Sequence, residues 1–148
     1  MKQISASPSL MRHLAAIFYD LFLLLAIILV AASLFTIVID IFAGQGVSGE
    51  LLQQTVWKTL FQFYLFFVSG LFYSFFWVRG GQTLGMKVWK IRLVNFAGNN
   101  PSWSQAWRRL LLALPLNLLL GFGLISRMLD PEQLSLYDRL SETRLIND

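Results

Sequence analysis

Within the apolar run RHLAAIFYDLFLLLAIILV, residues 12–30, the carboxylate of Asp20 is the group most able to do chemistry. An ionised side chain inside a lipid-facing helix costs roughly 2.5–3.5 kcal/mol on insertion scales, so it is protonated, paired or turned away from lipid. Helical geometry names the neighbours. His13, seven residues earlier, projects within about 20° of Asp20, whereas Arg12, eight earlier, points about 80° away. Ala16, Leu24, Ile27 and Ala31 share the Asp20 face, and small residues there permit close helix approach. Two chemistries follow: Asp20 exchanges a proton or cation, or it bonds a hydroxyl or basic group and staples helices together.

The elements that must position this carboxylate are long and apolar. The 148 residues are 56% hydrophobic and 14% charged, with 13 Phe and 5 Trp, against about 25% charged in soluble domains. A first span is expected over about 14–39, with nineteen uncharged residues after Asp20. That is longer than the 7–15 residues of a signal-peptide core. A second is expected over 57–78, WKTLFQFYLFFVSGLFYSFFWV, with tryptophans at both ends as at membrane interfaces. Thr59, Gln62, Ser69, Gly70 and Tyr73 fall on one stripe of it and are expected to face inward with Asp20. The third apolar segment, 110–126, is interrupted by Pro115, Asn117, Gly121 and Gly123. It reads as a short broken or re-entrant helical piece.

Charge orients these spans. Lys2 and Arg12 precede the first, and no further Lys or Arg appears until Lys58. The loop 79–109 carries Arg79, Lys87, Lys90, Arg92, Arg108 and Arg109 without an acid. The positive-inside rule places the N-terminus and this loop in the cytoplasm and the 40–56 loop outside. Within the basic loop, KVWKIRLVN alternates as a short strand and FAGNNP offers a turn. Ser102 and Gln105 match a capping box, followed by Trp103 and Trp107 four residues apart. TRLIN near the C-terminus is also strand-like and echoes IRLVN, although no internal repeat is evident.

Other chemistries are excluded by spacing. Gly81, Gly85 and Lys87 lack the spacing and the following hydroxyl of a phosphate loop. One histidine and no cysteine leave no zinc signature, thiol chemistry or lipoprotein anchor. No nucleophile–base pair survives, so the chain is read as a non-enzyme without cofactor or metal. Basic loops with Trp beside a span are topology signals and contacts to anionic lipid rather than to nucleic acid.

Arg12 and Asp20 in the first helix, GQTLGMKVWKIRLVN and the terminal YDRLSETRLIN together resemble the RDD family of bacterial membrane proteins, named for one arginine and two aspartates. The pattern covers nearly the whole chain. Arg12, Asp20 and Asp138 match the three naming residues, and Gln82, Thr83, Gly85, Lys87, Arg109 and Thr143 match supporting positions. Tyr137, Glu142 and Met86 depart from it. The resemblance implies an all-α polytopic membrane protein of one domain, 1–148, in the bacterial inner membrane. Cooperation of the three naming residues implies that Asp138 lies on the cytoplasmic side with Arg12. Segment 110–126 then re-enters, and TRLIN (143–147) returns to pair with KIRLVN in a small cytoplasmic β-hairpin-like element.

Two functions follow from that resemblance. In one, a homo-oligomer carries cations, protons or small solutes, with Asp20 as exchanging carboxylate and Arg12 acting on it by charge proximity. In the other, a non-transporting accessory or regulatory protein uses Arg12, Asp20 and Asp138 as internal braces. Its aromatic second helix (Phe61, Phe63, Phe66, Phe67, Phe72, Phe75 and Phe76) then meets another membrane protein.

Overall fold

The structure, a computed structural model, describes residues 8–118, 130 and 134–148. In chain order the described elements are α1 (Leu10–Ala43), α2 (Val47–Leu51), α3 (Thr55–Gly80), α4 (Leu84–Val88), β1 (Ile91–Asn95), α5 (Trp103–Leu118), α6 (Leu136–Leu140) and β2 (Thr143–Asn147). The 34 residues of α1 and 26 of α3 make both helices long and apolar enough to cross a membrane. Their most apolar stretches are almost wholly unburied by the chain itself. Both exceed the roughly 20 residues a bilayer requires, and both outrun the limits expected from hydropathy. The chain forms two compact units, Leu21–Phe72 and Met1–Asp20 with Tyr73–Asp148.

In the unit Leu21–Phe72, Asp40 near the end of α1 accepts the Ser48 backbone N–H at 2.9 Å and the Ser48 hydroxyl at 3.1 Å, pinning the loop that carries α2. Phe35 packs against Phe61 and Tyr64, ring centroids 5.0 and 5.3 Å away. The hydroxyls of Thr59 and Ser69 turn onto their own helix, bonding the carbonyls of Thr55 and Leu65. Thr59 and Gln62 are exposed, whereas Gly70 is buried and Ser69 and Tyr73 half-buried, so the expected inward polar stripe is corrected at its first two residues only. A hydroxyl in a helix can satisfy itself on the carbonyl four residues back and needs no partner helix.

The other unit is built around a repeat that the sequence reading missed. Thr83 caps α4, Trp89 closes it, Lys90 turns through φ 52°, and β1 follows. Ser135 caps α6, Ser141 closes it, Glu142 turns through φ 55°, and β2 follows. Every residue of the first copy corresponds to the one 52 positions later in the second. Only Leu84/Leu136, Arg92/Arg144, Leu93/Leu145 and Asn95/Asn147 are identical across those 13 positions, so composition hides what backbone geometry reveals.

β1 and β2 pair antiparallel with Leu93 opposite Leu145, its counterpart in the repeat. A local two-fold axis between these leucines therefore exchanges the two copies. The exchange extends to the flanks: Asp148 N–H donates to the Lys90 carbonyl and Phe96 N–H to that of Glu142. The expected pairing of 143–147 with 91–95 is present, but it joins two separate helix–turn–strand copies and is no hairpin. Ile91, Leu93 and Leu145 fill the core beneath the sheet with Ala16, Trp77, Met86, Ala106 and Leu110.

Ser102 starts α5 as its composition predicts. Its N–H donates to Gln105 Oε1 at 3.0 Å, and its hydroxyl accepts the Gln105 N–H at 3.3 Å. The helix then continues through Pro115 to Leu118, so Pro115 and Asn117, two of the four residues expected to interrupt segment 110–126, do not end it. A proline removes one donor from the ladder, and here the helix persists around it. The proposed re-entrant turn, with Gly121 and Gly123, lies outside the described residues.

Because Leu93 and Leu145 meet on the two-fold axis with at most 5% exposure, Leu93→Ala and Leu145→Ala should each cost about 2–5 kcal/mol. The double variant should lose less than the sum, since both remove one shared contact. Denaturant unfolding of the purified protein in detergent, followed by tryptophan fluorescence, reads this.

Candidate functional site

The helical spacing of α1 turns His13, Ala16 and Asp20 inward, all buried, while Ile17, Phe18, Tyr19, Leu21 and Phe22 remain exposed. Asp20 meets the start of α4. The Thr83 hydroxyl donates to its Oδ2, and the Gly85 N–H donates to its Oδ1 at 2.8 Å. The same Thr83 Oγ1 accepts the Met86 N–H at 3.2 Å. One threonine thus caps its helix and holds Asp20, and Asp20 takes up a further orphan N–H of that first turn. Gly85 is required by closeness rather than by φ. A Cβ there would lie 2.9 Å from Asp20 Oδ1 and still nearer the Ala16 carbonyl oxygen.

The second centre is built by α5 and the second copy of the repeat. Arg109 Nη1 donates to Asp138 Oδ1 at 2.5 Å and to Thr143 Oγ1 at 2.8 Å. Asp138 Oδ2 accepts the Ser135 N–H at 2.7 Å and its hydroxyl at 2.5 Å. Ser141 donates its hydroxyl to the Tyr137 carbonyl at 2.5 Å, so the 2.7 Å contact with Thr143 is a bond donated by Thr143. The Arg109 guanidinium lies 4.9 Å from the Tyr137 ring centroid and 5.9 Å from that of Trp77. Arg109 is 4% exposed and Asp138 2%, so the pair is shielded from water and salt and depends on these hydrogen bonds.

A cavity of about 370 Å³ opens between these centres. Asp20, His13, Tyr73, Thr83 and Arg109 contribute its polar wall; Ile17, Trp77, Met86, Leu110, Ala113 and Leu114 contribute most of the rest. Tyr73 and Trp77, one turn apart on α3, stack with ring centroids 5.4 Å apart.

The residues singled out from the sequence therefore divide. Asp20, Thr83 and Gly85 form one centre; Arg109, Asp138 and Thr143 form the other. Gln82 braces the strand end, its amide donating to the Ile91 carbonyl at 2.9 Å and to Asp148 Oδ2 at 3.1 Å. Lys87 is exposed on α4, and Arg12 is exposed on the first turns of α1, where its N–H meets Ser9 Oγ. The base bonded to Asp138 is Arg109. Sequence reasoning missed Ser135 and Trp77, and it gave no part in the site to Ser141 or Tyr137, which flank Asp138 in the motif. Ser135-x-x-Asp138 is a capping-box pattern and was the available signal for the first of these. Among the described residues no cluster of ligating side chains could hold a metal ion.

The family model described as the RDD family matches residues 7–142. Neither the curated proteins nor the solved structures provide a match.

Removing one partner of the buried pair strands the other. Asp138→Asn should cost about 3–5 kcal/mol, and Arg109→Met with Asp138→Leu should recover much of it; thermal melts of the purified variants measure both. Gly85→Ala should cost about 1–3 kcal/mol through overpacking. In the same melts Gly49→Ala, where a Cβ meets nothing within 4 Å, should be harmless.

Proposed function

The chain belongs to the RDD family, and from that premise we propose that it is a small inner-membrane transport protein working as a homo-oligomer. Its task in this reading is the exchange of a cation or small cationic solute against protons, with no catalytic step. Family membership and two helices long and apolar enough to cross a bilayer support a membrane protein. The observation that carries the transport reading is Asp20: a carboxylate 3% exposed, held from one side by Thr83 and Gly85, in the wall of a cavity. An ionisable group within a membrane-crossing helix is by default a candidate for an ion or proton path. Each of its oxygens accepts one donor from α4, which leaves acceptor capacity for a proton or cation.

Arg109 and Asp138 have a different part. Their charges cancel at close range and their hydrogen bonds end on protein groups, so they hold the cavity's shape. The assignment of the N-terminus to the cytoplasmic side is supported by the basic residues of 79–109. Arg12, Lys87 and Lys90, all exposed, supply positive charge for anionic lipid at that face. Two spans enclose too little volume for a path, and a second copy supplies the missing wall.

One feature favours the accessory reading instead. Val56, Leu60, Phe63, Phe67 and Leu71 form an exposed stripe at helical spacing along α3, and aromatic-rich stripes suit contact with another membrane protein.

Proton flux in everted vesicles, reported by a ΔpH-sensitive dye after adding Na⁺, Li⁺, K⁺ or tetraethylammonium, separates the two. The expected result is cation-dependent flux that falls about tenfold or more in Asp20→Asn, the scale of losing one charged contact. Equal flux in variant and parent at matched insertion would rule out Asp20 as the coupling group. Absence of flux in both would move the protein to the accessory class.

A further inference from the structure

We infer that the cavity beside Asp20 takes a lipophilic organic cation, a single positive charge on an aromatic or aliphatic body, rather than a bare alkali metal ion. The inference rests on the reading of Asp20 as a ligand-holding group and names what it holds.

Size is the first reason. About 370 Å³ is more than ten times the roughly 30 Å³ that a water molecule occupies in the liquid. A dehydrated metal ion would rattle in it, and a hydrated one would meet a wall that is hydrocarbon except on the side of Asp20, His13, Tyr73, Thr83 and Arg109. Composition is the second. Ile17, Met86, Leu110, Ala113, Leu114 and Leu145 present hydrocarbon to the space. The lining oxygens belong to Asp20, Thr83, Tyr73 and Tyr137. Those of Asp20 and Thr83 are already engaged with each other and with α4. Hard cations want about six oxygen ligands at close range, which this lining does not assemble.

Charge and aromatic faces complete the case. Asp138 matches Arg109 at 2.5 Å, so this pair brings no net charge to the cavity. The remaining carboxylate, Asp20, favours one positive charge. Tyr73 and Trp77 stand beside it on α3, and aromatic faces attract cations whose charge is spread over carbon. The Arg109 guanidinium already lies over the Trp77 ring, so this wall receives a delocalised cation within the chain itself. A cation whose body fills the apolar part and whose charge lies toward Asp20 satisfies both kinds of wall.

The probe is tetraphenylphosphonium, a permanent cation of this class, in equilibrium dialysis against the purified full chain in detergent, with empty micelles as background. Saturable binding is expected, insensitive to added NaCl. It should weaken about tenfold in Asp20→Asn, the scale of one lost charged contact, and weaken also in Leu114→Trp, which puts a bulkier side chain on the apolar part of the lining. Retention of binding in Asp20→Asn overturns the inference, because the carboxylate is then no anchor. Undiminished binding in Leu114→Trp overturns it too, because the cation then sits elsewhere. No saturable binding, together with Na⁺-driven flux that Asp20→Asn abolishes, overturns the organic-cation inference and leaves the transport reading standing. Neither binding nor flux removes both.

Discussion

A helix of five residues does not hold itself together: its first hydrogen bond barely offsets the cost of fixing the turn. Both α4 and α6 are that short, and each is secured by a carboxylate at its N-terminal end. In the second copy the carboxylate is internal, Asp138 reaching back to Ser135. In the first it is supplied from outside, by Asp20 of α1. Sheet pairing, core and cavity all rest on these two anchored turns, because the strands leave directly from them. The asymmetry between the copies is what ties a long apolar helix to a small polar module.

Seen this way, an aspartate in an apolar run is less costly than hydropathy alone suggests. Its partners are a hydroxyl and a backbone N–H, presented in fixed geometry by a turn whose glycine, Gly85, lets it lie against Ala16 of α1. Pairing with Arg12 is not required. The basic group of the polar core comes from α5, and its charge is cancelled by Asp138 before it reaches the cavity.

The two long helices, their approximate ends, the capping box at Ser102 and the strand character of 91–95 and 143–147 were legible because each is a local pattern. The pairing of those strands was legible too, since TRLIN and IRLVN echo each other. The repeat was not. Its two copies share a backbone path through Lys90 and Glu142 in the left-handed region, and neither residue type announces that conformation. The site divided along the same line. Asp20, Thr83, Gly85, Arg109, Asp138 and Thr143 were all singled out, yet their grouping into two centres was invisible, because it depends on which helix lies beside which turn. Pro115 misled in the other direction: a proline weakens a helix but does not oblige it to stop.

The sheet has a consequence for how the chain acquires its shape. Leu93 and Leu145 must find each other across the whole of α5 and the stretch that follows it. Closing a loop of that length is entropically costly before any contact rewards it, and long-range strand pairing is correspondingly slow. The apolar helices and the capped start of α5 depend on neighbours in sequence and can form early. The strand pair and the Arg109–Asp138 bond depend on the last-made part of the chain, since Asp138 precedes β2 by only five residues and the two emerge within about a second of each other. Until then a guanidinium and a carboxylate destined for burial remain in water, so closure of the sheet is also the step at which the polar core dries.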